Sequence, residues 1–230
     1  MANLKSLKNL WIRTDSDLSG AVEEFGFLPY FRCGIPGFSI EEHADPAVWF
    51  SSEPGIWEWK GPVIRKTGCA YGKFFRGNAG FVSRAWFPDF ANYRRDGYDF
   101  DARYDDGLAS FREKELFDLI ERTGPALSRD LKREGNYGKN GKKGFDGLLT
   151  ALQRQTYVLI SDFVYDVDRD GNPFGWGVSE YATPEKRFGD SFRESVYLRT
   201  PEASLNRIAE HLRGILPDAG EAEILNWLKK

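Results

Sequence analysis

The chain is 230 residues long, carries a net charge of −3, and is 41% hydrophobic and 15% aromatic. This describes a folded chain with room for one large domain or two small ones, and excludes a disordered polymer or a polycation. No apolar run approaches the roughly 18 residues that span a membrane. Residues 1–17 alternate Leu with Lys and Asn and lack the apolar stretch of a signal peptide. Two cysteines, Cys33 and Cys69, fit free thiols in a reducing compartment, so the expected location is the cytoplasm.

In chain order, residues 17–25 read as a short helix, capped by Asp15 or Ser16 and ended by Gly26. Pro and Gly punctuate residues 27–31 and 35–38, which predicts loop or short strand. Pro46 suits the first position of a helical turn over residues 45–50. If Trp57-Glu58-Trp59-Lys60 is extended, both indoles face one side and the charges the other. Residues 69–75 and 81–87, joined by the Gly-rich 76–80, read as a β-hairpin. Tyr98, Phe100, Ala102 and Tyr104 alternate with Asp99, Asp101, Arg103 and Asp105, a period-two pattern that predicts a half-buried strand.

Leu116, Phe117, Leu119 and Ile120 mark a helix that Thr123-Gly124-Pro125 stops. A short helical run over 127–133 follows, then a basic, Gly-rich connector over 135–144. A third helix carries Phe145, Leu148, Leu149 and Leu152 on one face. Residues 156–167 and 173–182 read as strands joined by a tight turn at Asp168-Arg169-Asp170-Gly171. Three helices and a hairpin in that order predict a winged helix-turn-helix, whose last helix can enter a DNA groove. Residues 188–198 stay open between helix and strand. Leu205, Ile208, Leu212 and Ile215 make residues 201–216 an amphipathic helix that Pro217 ends, and 222–228 form a last short helix. The expected fold is α+β. An aromatic-rich N-terminal α/β region with a β-hairpin (1–108) precedes a winged helix (109–200) and C-terminal helices that pack on the core (201–230).

Between residues 129 and 154 there are seven Lys or Arg against three Asp or Glu, a local positive excess in an acidic chain. The candidate DNA contacts are Arg129, Lys132, Lys139, Lys142, Lys143, Arg154 and Gln155, with a solvated charged face as the alternative. Asp168 and Asp170 at the wing tip would repel phosphates. Residues 166–172 imitate the start of a calcium loop, but the twelfth position is Gly177, and a hairpin turn explains them better. Cys33, His43, Cys69 and His211 are too scattered for zinc, and no nucleophile elbow accompanies His43.

The carboxylates with a catalytic reading are Glu58, set beside Trp57 and Trp59, and the pair Asp99 and Asp101. Ion pairing of that pair with Arg94, Arg95 or Arg103 is the alternative. Trp57, Trp59, Trp86 and Tyr93 could stack on an extruded base, or form an aromatic core edge with cation–π contacts.

Phe145-Asp146-Gly147-Leu148-Leu149-Thr150-Ala151-Leu152-Gln153, followed by Thr156-Tyr157-Val158, resembles winged-helix units of bacterial AlkZ-type DNA glycosylases. Trp57-Glu58-Trp59-Lys60-Gly61-Pro62, Tyr71-Gly72-Lys73-Phe74-Phe75, residues 86–108 and Gly141-Lys142-Lys143-Gly144-Phe145-Asp146 resemble bacterial AlkZ-related proteins. The glycosylase resemblance covers only residues 110–185. It implies excision of alkylated bases from double-stranded DNA without metal or cofactor, and a Gln-apolar-Gln or Gln-apolar-Asp motif that positions water. Gln153-Arg154-Gln155 has both glutamines, but Arg154 replaces the apolar residue. The chain is also too short for the several winged helices of those enzymes. DNA binding is therefore expected ahead of catalysis, with a small-molecule or partner-binding protein as the other reading.

Overall fold

Thr14 begins the first helix. Its hydroxyl accepts the Asp17 N–H and Asp17 reaches back to the Thr14 N–H, so Thr14, rather than Asp15 or Ser16, caps α1 (Asp15–Phe25). The structure, a computed structural model, describes residues 7–50, 54–171 and 173–229. Residues 1–6 of the N-terminal stretch and Asn172 at the end of the hairpin turn lie outside the described residues.

After α1 come β1 (Phe27–Pro29), α2 (Ile40–His43), α3 (Lys60–Thr67), β2 (Ala70–Phe75) and β3 (Asn78–Val82). Two 3-10 turns, Leu7–Asn9 and Pro46–Val48, lie among the described residues, the second capped by Asp45. Next are α4 (Phe87–Arg95), α5 (Phe100–Asp105), α6 (Phe111–Thr123), β4 (Ala126–Leu127), α7 (Ser128–Glu134) and α8 (Phe145–Arg154). The chain ends with β5 (Leu159–Val167), β6 (Pro173–Ala182), α9 (Pro184–Phe188), α10 (Asp190–Val196), α11 (Pro201–Ile215) and α12 (Glu221–Leu228). The fold is mixed α/β, and among the described residues no helix is long and apolar enough to cross a membrane.

All six strands share one antiparallel sheet in the order β1-β3-β2-β5-β6-β4. Tyr71 opposite Ile160 joins the two hairpins, and β4 adds to the far edge of β6 through Ala126 and Leu127. Side chains alternate across a strand. On one face of β2, the Tyr71 ring meets Phe81 and Phe163. On the other, Gly72 abuts the Gln153 side chain of α8, and Phe74 packs on Phe87 and Phe90 of α4. The C-terminal helices close this second face. Asn92 of α4 donates to Ser204 of α11, and Trp227 of α12 stacks on Phe75 at 4.8 Å.

Three expectations are corrected. Residues 98–105 are not a strand. Asp99 accepts the Ala102 N–H at 2.8 Å and starts α5, which buries Phe100 alone, against Phe117 and Tyr157. A helix with one buried residue needs no apolar stripe, so its alternation reflects charge placement and not a sheet face. Trp57-Glu58-Trp59-Lys60 is not extended either. The Trp59 N–H bonds the Gly55 carbonyl and the Val63 N–H bonds that of Trp59, a turn running straight into α3. Pro62 falls in the first turn of α3, where no N–H is required. Finally, β3 stops at Val82, because the Ser83 carbonyl accepts the N–H groups of Trp86 and Phe87 and opens α4.

Candidate nucleic-acid interface

The amphipathic α8 buries Phe145, Leu149 and Leu152, and its surroundings hold most of the basic residues singled out above. Many of them are already engaged. Arg129 pairs with Asp166 of β5 at 3.1 Å, Lys132 with Asp146 at 3.2 Å, and Lys142 with Glu115 of α6 at 2.5 Å. The Lys143 ammonium donates to the carbonyls of Gly138 and Lys139. Lys139 and Arg154 are exposed and have no carboxylate partner among the described residues.

The two glutamines at the end of α8 diverge. Gln153 is buried; its Oε1 accepts the Lys73 N–H of β2 at 3.1 Å and its Nε2 donates to the Leu149 carbonyl. Gln155 donates to Glu113 of α6 at 3.4 Å, while its Oε1 is buried without a partner. The chain then turns at Thr156, a buried β-branched residue with φ +64. That conformation costs about 1–2 kcal/mol for a residue with a Cβ.

Arg95 holds this turn. Its guanidinium is buried, donates to the Thr156 carbonyl at 2.9 Å, to Glu185 Oε1 at 2.6 Å and to the Tyr197 hydroxyl at 3.2 Å, and lies 4.6 Å from the Tyr157 ring centre. Burial pulls its pKa down, but Glu185 and Tyr197 reverse this and leave it above the ordinary arginine value. The neighbouring Arg94 is also buried, with Nη1 on the Lys229 carbonyl at 3.1 Å. Burial lowers the Arg94 pKa to about 10, and the positive charges of Arg154 and Arg76 push the same way. Asp99 and Asp101 therefore pair with neither arginine.

The three carboxylates do not converge. Asp99 caps α5, and Asp101 pairs with Lys114 of α6 at 3.1 Å. Glu58 stands at the head of α3, half-buried, accepting the Gly55 N–H at 3.0 Å. It borders an aromatic cluster in which Trp57 stacks on Tyr30 at 5.5 Å and meets Trp49 edge-on. Lys60 extends from the same turn to within 4.6 Å of the Phe163 ring centre and 5.4 Å of Trp57. Burial lowers the Lys60 pKa, and the charge of Glu58 opposes the shift. Because Phe163 shares the Tyr71 side of β2, this cluster and the end of α8 lie on opposite faces of the sheet.

Of the other planar groups, Trp59 donates to the Pro54 carbonyl, and Trp86 stacks on His211 at 4.2 Å with Arg207 5.5 Å from its centre. Tyr93 is half-buried on α4. The β5–β6 hairpin instead exposes apolar side chains, Val164, Val167, Phe174 and Trp176. Among the described residues no group of His, Cys, Asp or Glu is placed to hold a metal ion.

A family model described as AlkZ related matches residues 12–229. The chain belongs to the AlkZ-related family. No curated protein and no solved structure matches it. The family match in this AlkZ-related chain takes in both hairpins and every helix described above. Sequence reasoning did not single out Lys60 or Arg76, and it weighed Arg94 only together with Arg95. Lys60 carried a visible signal in its Trp-Glu-Trp context, whereas nothing local marks which of two adjacent arginines meets a carboxylate.

Proposed function

We propose that this AlkZ-related chain binds double-stranded DNA through residues 111–182, which act as a winged helix, and serves in the repair of alkylated DNA as a homologue of AlkZ-type glycosylases. One observation carries the reading. The elements run α6-β4-α7-α8-β5-β6, with β4 hydrogen-bonded to β6, and this order lets a third helix enter a groove beside a hairpin. Lys139, Lys143 and Arg154 supply the exposed charge. The acidic tip at Asp168 and Asp170 turns phosphates away, so the flank of the hairpin, with Phe174 and Trp176, meets the duplex. Residues 1–108 then form the aromatic side and 201–230 brace the core.

Excision requires a group that holds water near the anomeric carbon while the base departs. An alkylated base leaves readily, so little general-acid help and no metal or cofactor is needed. Glu58 has the enclosed aromatic surroundings for this role, and Asp99 and Asp101 lie beside α6, which packs on α8. Fluorescence anisotropy at low and moderate salt, with an intact duplex and one carrying a stable abasic-site analogue, tests the proposal. Preference for the abasic duplex, with loss of methylated-base release in Glu58→Gln, Asp99→Asn or Asp101→Asn, supports the enzyme. Equal, salt-sensitive binding leaves a DNA-binding module only, and no binding at low salt removes DNA altogether.

The ion pairs that occupy Arg129, Lys132 and Lys142 favour a second reading, in which the fold binds a small molecule or protein partner without nucleic acid.

A further inference from the structure

We propose that the cleft between the start of α4 and the α9–α10 pair binds a single-ring aromatic carboxylate. The site goes beyond the DNA-binding reading, because residues 111–182 contribute nothing to its described lining. Two buried rings, Phe87 of α4 and Phe192 of α10, line it together with the half-buried Phe188 of α9. Arg84, Ser191 and Ser195 supply the polar lining.

The three rings form a triangle whose centres lie 5.5, 5.6 and 6.0 Å apart. Phe87 is backed by Phe74 at 5.8 Å, and the Arg95 guanidinium lies 5.3 Å from the centre of Phe192. The rings are thus fixed before a ligand arrives, which limits the ordering that binding costs. The cleft has a volume of about 170 Å³. An apolar cavity of about 150 Å³ takes one benzene ring, so a single ring fits. Aromatic pairs also gain beyond the area they bury, which favours an aromatic ring over an aliphatic one here.

Arg84 sets the charge of the ligand. Its Nη2 donates to Ser191 Oγ at 3.1 Å, and its guanidinium carbon lies 6.0 Å from the centre of Phe188. These contacts hold an exposed cation beside the rings, and the hydrogen bond takes one of its five N–H groups. Both serine hydroxyls donate to backbone, Ser191 to the Phe188 carbonyl at 3.0 Å and Ser195 to the Ser191 carbonyl at 2.6 Å. Arg84 is therefore the donor that meets a polar group on the ligand. The described lining contains no carboxylate, so the charge it presents is positive. A guanidinium fork matches the two oxygens of one carboxylate in geometry and in charge.

Isothermal titration calorimetry of the full chain with sodium benzoate, at neutral pH and constant ionic strength, tests the site. Two probes divide the ligand: benzamide keeps the ring without the charge, and acetate keeps the charge without the ring. The wild type binds benzoate and binds each of these at least about tenfold more weakly, the least that one charge-assisted hydrogen bond or one buried ring is worth. Arg84→Gln brings benzoate down to the affinity of benzamide. Ser195→Leu fills the cleft and abolishes benzoate binding with Arg84 still in place; the lost hydroxyl served only backbone carbonyls. Because Arg84→Gln changes an exposed side chain alone, that result stands even where Ser195→Leu disturbs α10. Absence of benzoate binding by the wild type, equal affinity for benzoate and either probe, or undiminished benzoate binding in Arg84→Gln overturns the site.

Discussion

Replacing Arg95 with Ala tests whether the exit of α8 is held from α4. The guanidinium is 1% exposed and its partner Glu185 is 20% exposed. Breaking a buried pair by removing one partner costs about 3–5 kcal/mol. Glu185 can recover part of its hydration, which moves the ion-pair loss towards the lower end. The Thr156 carbonyl, left in a buried left-handed turn, adds about 1–3 kcal/mol for an unsatisfied group. Tyr197 keeps its bond to the Tyr98 carbonyl and adds little. A loss of about 4 kcal/mol follows, a large fraction of the ~5–15 kcal/mol that stabilises an ordinary domain. At about 2–4 °C per kcal/mol for a chain of this size, the melting temperature drops by roughly 10 °C. Urea titration followed by far-ultraviolet circular dichroism gives the free energy directly. Arg95→Met, which keeps the volume and removes the charge, should cost less than Ala, and Glu185→Ala should couple strongly to either. An Arg95→Ala loss below about 1 kcal/mol, within the range of exposed ion pairs, would refute the reasoning.

Three further outcomes are expected. Burial lowers the His211 pKa, although its Nε2 hydrogen-bonds the Phe25 carbonyl at 2.8 Å. The unfolded chain then binds more protons below its ordinary histidine value of about 6.5, so this contribution to stability is full above that pH and falls as pH drops towards the native value. Melting temperature should decline between pH 7.5 and 5.5 in the wild type and less in His211→Gln; parallel curves would count against the assignment. Burial pushes the Cys69 thiol up to about 12 and also raises Cys33, so a disulfide reagent at pH 8 should leave Cys69 untouched until denaturant is added. Rapid reaction of both thiols in the native protein would contradict this. Gly26→Ala meets a backbone φ of +76 and places a Cβ 2.4 Å from Trp86 Cδ1. The backbone term alone costs about 1–2 kcal/mol, and displacing Trp86 from His211 adds to it; a urea midpoint equal to wild type would show that the turn adapts freely.

Strong periodicity made part of the fold legible. The apolar stripes of α6, α8 and α11 and the hairpin β5–β6 follow from spacing alone, because each buries several residues on one side. Short elements were hidden. In α5 a lone buried Phe100 leaves charge alternation as the dominant signal, and α3 and α4 begin with proline near their first turn, which imitates a break. The candidate site was less legible still. Counting basic residues over 129–154 found a positive stretch, but Asp166 and Glu115, which neutralise two of them, come from β5 and α6, outside that window. Arg94 and Arg95 differ in role only because Glu185 and Tyr197, about a hundred residues onward, reach one and not the other.

The exposed flank of the hairpin also has a photophysical use. Seven indoles are present in the chain, and Trp176 is 80% exposed, against 48% for Trp11 and less for the rest. Water-exposed indoles emit at longer wavelength and are the first to meet a soluble quencher, so Trp176 contributes the red, acrylamide-sensitive edge of the native spectrum. Whatever seats on this hairpin shields that edge and shifts it to the blue. The unlabelled protein thus carries its own optical sensor of occupancy, with Trp176→Phe as the matched blank.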